Sequence, residues 1–160
     1  MNDLERLMAI EAVRQVKARY FRAIDTKDFE ALRQVFAEDA VFDARESRYD
    51  PAPGAPPPPD QPVAAGLENI VAFISSALAT ARSVHHGHTP EIEILSETTA
   101  RAIVPMEDLV RGVRDGRGYQ LHGFGHYRET YVKTADGWRI HTSKLTRLRV
   151  DMTYFDPPEA

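Results

Sequence analysis

The apolar residues change their period near residue 80, and this change restricts the folds that the chain can adopt. Before it, apolar residues recur every three or four positions, as on one face of an amphipathic helix. The first such stripe comprises Leu7, Ile10, Val13, Val16, Tyr20 and Ile24. After it, strand-like patterns occupy 84–95, 99–109, 119–134 and 138–150. Helices therefore precede strands, which argues against parallel crossover units.

Two further helices are expected before residue 80. Cap-type residues at 25–28 precede a second set of apolar residues at helical spacing, so a short helix should follow a tight connection. That set is Phe29, Leu32, Val35 and Phe36. A short strand is expected at 40–43, and Gly66 opens a third helix that should end near Thr80.

Two turn signals separate the long strand patterns. Asp115-Gly116 and Asp136-Gly137 lie between them, and Asp-Gly in that position is a strong hairpin signal. The predicted fold is therefore α+β, with three N-terminal helices packed on one curved, mainly antiparallel sheet. A ligand would bind in the cleft between the helices and the sheet.

The segment 44–65 differs from the rest of the chain because it is rich in proline and alanine. Proline lacks an amide donor and is excluded from regular helices and sheet interiors, so the segment should be a loop. It is either a disordered insertion or a flap over a pocket, and the lack of apolar anchors favours disorder. With 160 residues, we expect a single domain, 1–160, that carries this insertion.

Composition excludes several classes of partner. A net charge of -4 and a pI near 5.9 give no reason to expect nucleic acid or another polyanion. The absence of cysteine removes disulfides, thiol nucleophiles and thiolate metal sites. No apolar run is long enough for a membrane helix, so no membrane partner is expected. The first residues lack the pattern of a secretory leader, so we expect a cytoplasmic protein.

Three histidines, His85, His86 and His88, crowd one strand-like segment. Histidine is suited to acid–base chemistry because its ordinary pKa, about 6.5, lies near neutrality. Alternation counted back from Ile92 would turn His86 and His88 inward and His85 outward, unless a bulge at Gly87 reverses the phase. The residues by themselves leave both arrangements open.

Four further side chains could carry chemistry. Glu107 and Asp108 end a mostly apolar strand, so one of them should face the interior, where a carboxylate needs a partner such as His85. Tyr20 lies on the core stripe of the first helix, and its hydroxyl could hold a developing enolate oxygen. Asp25 stands where a helix cap is needed, so capping is its favoured role.

Other polar residues on the later strands are less informative. Arg147 and Arg149 share one strand phase, with Leu148 on the other; either arginine could enter the pocket, although a solvated face is favoured. His122 and His126 share a face that lies either in the pocket or opposite it. His-x-His with neighbouring acids could bind zinc or iron, but no further spacing supports this, so we expect no metal.

Four stretches carry a resemblance to a known family: residues 18–25 (Ala-Arg-Tyr-Phe-Arg-Ala-Ile-Asp), 36–42 (Phe-Ala-Glu-Asp-Ala-Val-Phe), the His-His pair at 85–86, and 136–140 (Asp-Gly-Trp-Arg-Ile). With a Gly-led third helix, they resemble the SnoaL-like branch of the nuclear-transport-factor-2-like superfamily over nearly the whole chain. The resemblance implies a cone-shaped α+β barrel. That fold hosts polyketide cyclases, ketosteroid isomerases, dehydratases and binding modules. The proline-rich stretch departs from the family's usual shorter loop.

The resemblance also implies site residues. Those similar to the Tyr, Asp, His and Asp of dehydratase members are Tyr20, Asp25, His85 and Asp108. Arg147 or Arg149 stands near an arginine of the bile-acid dehydratases. Because the resemblance favours His85, it weighs against the inward phase of His86 and His88.

These observations lead to one functional hypothesis and one alternative. The first is a cofactor-independent dehydratase or isomerase that abstracts a proton from a small apolar cyclic or polyketide- or steroid-like carbonyl compound. His85 would be the base, Asp108 or Asp25 would orient it, and Tyr20 would hold the enolate oxygen. Substrate contacts would come from His86, His88 and Arg147. No nicotinamide- or flavin-binding pattern is present, so no cofactor is expected. The alternative is a non-catalytic ligand-binding or assembly module, and we expect a homo-oligomer, a dimer or a trimer.

Overall fold

The computed structural model describes residues 1–56 and 63–156. Its elements in chain order are α1 (Asp3–Thr26), a 3₁₀ helix (Ala31–Gln34), β1 (Phe36–Asp43), β2 (Ala64–Ala65), α2 (Leu67–Leu78), β3 (Arg82–Gly87), β4 (Glu91–Ile94), β5 (Thr99–Arg114), β6 (Arg117–Thr134) and β7 (Gly137–Phe155). The expectation of disorder for the proline-rich loop falls partly on 57–62, which lie outside the described residues.

Helix α1 follows the predicted apolar stripe. Asn2 and Glu5 form a capping box at its start, and Lys27, in the left-handed conformation with φ 62°, ends it. The stripe is buried from Val13 to Ile24, whereas Leu7 is 63% exposed. The first two turns of the helix therefore project from the core, and packing begins at Ala9 and Ile10.

The prediction of three helices is wrong by one within the described residues. The second apolar set forms only the 3₁₀ helix, whose first residue, Ala31, donates its backbone N–H to the Asp28 carboxylate. Strand β1 then starts at Phe36 rather than at residue 40. The apolar residues of this short segment are buried without a longer helix, since Leu32 and Val35 are 0% exposed. Tertiary packing overrode the helical spacing.

The seven strands form one sheet in the order β2-β1-β7-β6-β5-β3, and β4 pairs with the far end of β5. All pairings are antiparallel except that of β1 with β7. The α+β class and the mostly antiparallel sheet are thus as predicted. At the β5–β6 turn, Asp115 and Gly116 have φ values of 52° and 76°, as a hairpin with two left-handed residues requires.

The main core lies between the helices and the concave side of the sheet. Its largest fully buried side chains include Tyr131, Phe36 and Ile24. A smaller cluster around Tyr119 and Leu121 lies towards the β5–β6 hairpin. No helix in the described part of the chain is both long and apolar enough to cross a membrane.

Candidate active site

A cavity of about 110 Å³ opens between the helices and the sheet. Most of its wall is apolar, with contributions from Ile24, Phe42, Phe73, Leu121 and Leu145. A cavity of about 150 Å³ accommodates benzene, so this smaller cavity is limited to a group no larger than a single small ring. Its polar lining includes Tyr20, His85, Asp108, Tyr127 and Arg147. Four of the sequence-predicted site residues are therefore brought together, with Asp25 directly behind them.

His85, and not His86 or His88, faces the cavity. Three residues, 88–90, separate Gly87 from Glu91, whereas only two separate their partners on β5, Met106 and Ile103. This extra residue reverses the phase between β3 and β4, so the inward positions of β4 do not predict those of β3. The His85 side chain is 6% exposed and that of His86 is 56% exposed.

Asp25 is the partner of His85. The Nδ1 atom of His85 lies 2.6 Å from Oδ1 of Asp25, and the backbone N–H of His85 donates to Oδ2 at 2.7 Å. Because a carboxylate only accepts, Nδ1 carries the proton in the neutral form of the ring, and Nε2 then holds the lone pair. The expectation that Asp25 caps a helix is wrong. Asp25 lies in the last turn of α1, and its carboxylate accepts hydrogen bonds from residues of β3.

Two further side chains support the Asp25 carboxylate. Ser83 donates to Oδ1 at 2.9 Å, and the Lys27 ammonium donates to the Ser83 hydroxyl at 2.8 Å. Burial alone would raise the pKa of Asp25, but the hydrogen bonds from His85 and Ser83 outweigh it and lower that pKa below 3.8. Sequence reasoning missed Ser83, although it lies two residues before His85 and thus shares its face of β3.

The stability of the fold should depend on the charge of Asp25. Because its folded-state pKa is lowered, the carboxylate stabilises the fold above the ordinary value of 3.8, and this contribution is lost as the pH falls through the folded-state pKa. Urea unfolding should show that Asp25→Asn is less stable than wild type at pH 7 and that the gap narrows below pH 3.8. A gap that stays constant down to pH 2 would contradict this assignment.

Asp108 forms a buried ion pair with Arg147. The guanidinium donates to both carboxylate oxygens at 2.8 Å, and the two side chains are 5% and 1% exposed. Nε2 of His85 lies 3.8 Å from Oδ2 of Asp108, beyond hydrogen-bonding distance. Asp108 thus lies beside the free nitrogen of His85, while Asp25 holds the other nitrogen. Glu107, the neighbouring acid, lies on the outer face with His86.

A β-bulge in β7 places Arg147, and not Arg149, on the face that lines the cavity. Gly125 pairs with Arg147 and Phe124 with Arg149, so Leu148 is an extra residue on β7. The bulge breaks the shared phase expected for the two arginines. Arg149 is turned to the solvent, where it pairs with Asp151. The expectation that a solvated face is favoured holds for Arg149 and is wrong for Arg147.

All five N–H groups of Arg147 have partners within the protein. Besides Asp108, they contact the backbone carbonyl of Ser47 through Nε at 3.1 Å and Nη2 at 2.8 Å, and the sulfur of Met106 through Nη1 at 3.4 Å. An arginine whose donors are all used has none to spare for a substrate anion. Its contacts neutralise Asp108 and tether the segment around Ser47.

Gly123 allows the ion pair to lie against β6. A Cβ atom at this position would clash with Nη1 of Arg147 and Oδ1 of Asp108. Gly123→Ala should therefore lower the free energy of unfolding by about 1–3 kcal/mol, as overpacking of a full core does. Gly112→Ala is the control, because the nearest atoms to its Cβ belong to the Tyr119 side chain and lie no closer than 3.0 Å. Equal stability of the two variants in urea denaturation would contradict a special role for Gly123.

Tyr20 meets Tyr127 at the inner end of the cavity. The two rings are packed edge to face with centroids 5.8 Å apart, and each phenol contributes to the pKa shift of the other. Burial raises the pKa of both phenols well above 10. Lys17 lies over the Tyr127 ring at 3.4 Å and forms an ion pair with the buried Glu129 at 2.8 Å. Burial lowers the pKa of Lys17 to about 8, and the negative charge of Glu129 offsets part of that decrease. Tyr127 was missed, yet the alternation of β6 places it inward.

The remaining histidines do not line the cavity. His86 and His122 flank Glu107 on the outer face of the sheet, at 3.2 and 3.6 Å. His88 is exposed beyond the end of β3, and His126 lies on the same outer face as His122. Within residues 1–56 and 63–156, no group of three or more histidine and acidic side chains is arranged to hold a metal ion.

The first part of the proline-rich loop closes one side of the cavity. Ser47 and Arg48 line it, and Asp50 accepts a hydrogen bond from the backbone N–H of Val150. None of these three residues was named as a site residue, although a flap over the pocket was one of the two alternatives for this segment. The flap interpretation therefore describes residues 44–50 better than disorder does, because their polar groups bind the end of β7.

Solved structures with the same fold include proteins of varied description. The Kfla4162 protein from Kribbella flavida has a TM-score of 0.75 and 20% identity, with 91% of this chain and 95% of that chain covered. A protein assigned as a scytalone dehydratase from Novosphingobium aromaticivorans has a TM-score of 0.72 and 20% identity, covering 98% and 93%. Hexachlorocyclohexane dehydrochlorinase LinA-type3 from Novosphingobium barchaimii has a TM-score of 0.73 and 15% identity, covering 98% and 100%. At these identities the likeness concerns the fold.

The family assignment comes from the sequence itself. Residues 5–144 match the SnoaL-like domain, in agreement with the resemblance carried by the four stretches and with the curved sheet described above. The match includes α1, β3, β5 and β6, which hold most of the cavity's polar groups. The chain therefore belongs to the SnoaL-like domain family.

Proposed function

We propose that this protein is a cofactor-independent lyase or isomerase that removes a proton from a carbon next to the carbonyl of a small, mainly apolar cyclic compound. The observation that carries the proposal is the state of His85. Its Nδ1 lies 2.6 Å from Asp25, and its Nε2 faces an apolar cavity without a hydrogen bond. A buried imidazole held in one tautomer, with its lone pair towards a ring-sized space, is suited to general base catalysis.

In the proposed step, Nε2 of His85 takes the proton of the C–H bond, and the electron pair of that bond forms an enolate. The imidazolium that results lies between two carboxylates, Asp25 at 2.6 Å from Nδ1 and Asp108 at 3.8 Å from Nε2. Opposite charges at these distances stabilise the protonated ring in a cavity whose wall is mostly apolar. Asp25 therefore both orients the base and stabilises the imidazolium that forms.

The developing enolate oxygen needs a donor, and the tyrosine pair can provide one. Tyr20 and Tyr127 both line the cavity, so a phenol O–H of this pair can donate to an oxygen bound there. Both phenols stay protonated at neutral pH because burial raises their pKa. The oxygen would then be stabilised as its charge grows.

Two outcomes can follow enolate formation. In an isomerase, His85 returns the proton to another carbon of the substrate. In a lyase, the enolate expels a leaving group from the β-carbon as the C=C bond forms, and the imidazolium protonates a departing hydroxide. Two structural neighbours bear the names of elimination enzymes, a dehydratase and a dehydrochlorinase. We favour elimination on that basis.

Proton exchange tests the proposal without knowledge of the leaving group. The protein is incubated in D₂O with simple cyclic ketones and β-hydroxy ketones, and proton NMR follows the loss of α-hydrogen signals and the appearance of enone. We expect exchange or elimination above the buffer rate. Tight binding of the same ketones with neither reaction would instead favour the non-catalytic binding module, since nothing in a binding role requires proton transfer.

A further inference from the structure

Arg48 is the one cationic side chain lining the cavity that no acid neutralises within residues 1–56 and 63–156. The charged residues of the lining are Arg48, Asp108 and Arg147, and the last two neutralise each other. The guanidinium of Arg48 lies 5.0 Å from the centroid of the Tyr119 ring, and one long contact, 3.5 Å, joins Nη2 to the Tyr119 hydroxyl. Arg48 is exposed, so it stands at the mouth of the cavity.

The backbone on both sides of Arg48 is fixed. The carbonyl of Ser47 accepts from two nitrogens of Arg147, and the carboxylate of Glu46 accepts from the backbone N–H of Arg147. Asp50 accepts from the backbone of β7. The nearby acids are thus engaged with the strand, and Arg48 is presented from a tethered segment. Stacking on an aromatic ring leaves the edge of a guanidinium available for a planar anion.

We propose that Arg48 and Tyr119 bind a carboxylate on the substrate, so that the substrate is a compact ring compound bearing one acidic group. This inference rests on the proposed function for the orientation of the substrate: the ring enters the apolar cavity towards His85, and the carboxylate stays at the mouth. The carboxylate is not the group that activates the C–H bond, because a negative charge opposes enolate formation. Arg147 cannot take this role, since all five of its N–H groups are used.

Benzoate and its neutral amide, benzamide, test the anion site by direct binding. Isothermal titration or ligand-observed NMR should show that wild type prefers benzoate by about tenfold, the effect of one charge-assisted contact at a partly exposed site. Arg48→Gln should remove that preference and leave benzamide binding unchanged. Arg45→Gln is the matched control, because Arg45 lies on the same segment, pairs with Asp43 and is not part of the cavity lining. It lowers the net charge equally and should keep the preference.

The binding test separates this inference from the proposed function. His85→Ala should retain the benzoate preference, since it leaves Arg48 in place. Equal binding of both probes by wild type, a preference that survives in Arg48→Gln, or no binding of either probe at millimolar concentration would overturn the anion site, whatever the protein does with ketones. A benzoate preference that depends on Arg48, in a protein without proton-exchange activity, would leave the anion site standing and overturn the proposed chemistry.

Discussion

Replacing His85 by alanine is expected to lower the rate of proton abstraction by a factor of about 10²–10⁴, the usual contribution of a general base. Asp25→Asn should lower it by a factor on the order of 100, because the amide can donate to Nδ1 and so favour the tautomer with Nε2 protonated. The rates are measured as α-proton exchange of a cyclic ketone in D₂O. Both variants should keep the wild-type far-ultraviolet circular dichroism spectrum.

A variant with both substitutions shows whether His85 and Asp25 act together or independently. If Asp25 acts through His85, then His85→Ala with Asp25→Asn should be no slower than His85→Ala alone, since residues that act together are not additive. His86→Ala is the matched control: it removes the adjacent histidine, whose side chain is 56% exposed on the other face of β3, and should leave the rate unchanged. Full activity of His85→Ala, or losses that multiply in the double variant, would contradict the dyad.

The largest loss of stability is expected from Arg147→Met. This change leaves the Asp108 carboxylate, 5% exposed as a side chain, without a counterion, and it also removes both donors to the Ser47 carbonyl. Breaking one partner of a buried ion pair typically costs about 3–5 kcal/mol, because the remaining charge is buried and uncompensated. Urea denaturation at pH 7 should show a loss of that size. The buried guanidinium therefore contributes chiefly to the integrity of the site.

A second substitution tests whether the uncompensated Asp108 charge causes the loss of stability. Adding Asp108→Asn to Arg147→Met removes the stranded charge, so the double variant should be more stable than Arg147→Met alone. Arg149→Met is the control, since this arginine lies two positions along β7 and is paired with Asp151 in solvent; it should leave stability essentially unchanged. A mild effect of Arg147→Met, equal to that of Arg149→Met, would show that the ion pair does not hold the site together.

Local patterns predicted the features that depend on neighbouring residues in the chain. The stripe from Val13 to Ile24 forms the buried face of α1 because helical periodicity is a property of consecutive residues. The Asp115-Gly116 turn forms because its two residues tolerate positive φ. Short stretches were less reliable: the four apolar positions from Phe29 to Phe36 could not tell a helix from a 3₁₀ turn leading into a strand.

The sequence identified the residues of the candidate site only in part. His85, Asp25, Tyr20 and Asp108 were named as candidates, with Asp108 and Asp25 left as alternative partners of His85. That Asp25 holds Nδ1 while Asp108 pairs with Arg147 was not predicted. Asp25 and His85 are 60 positions apart, and Asp108 and Arg147 are 39 apart. No periodicity within either segment encodes such contacts. Ser47 and Arg48 lay in a loop with no pattern to mark them.

What the sequence determined by itself is the α+β class, the order of helices before strands, and the presence of histidine, acid and tyrosine on elements that could meet. What only the tertiary structure decided is which of these side chains face inward. One extra residue between β3 and β4 turns His85 towards the cavity, and one extra residue at Leu148 does the same for Arg147 while turning Arg149 away. Side chains alternate with a period of two, so a one-residue difference between paired strands reverses every later position, and that difference is a property of the pairing rather than of either strand.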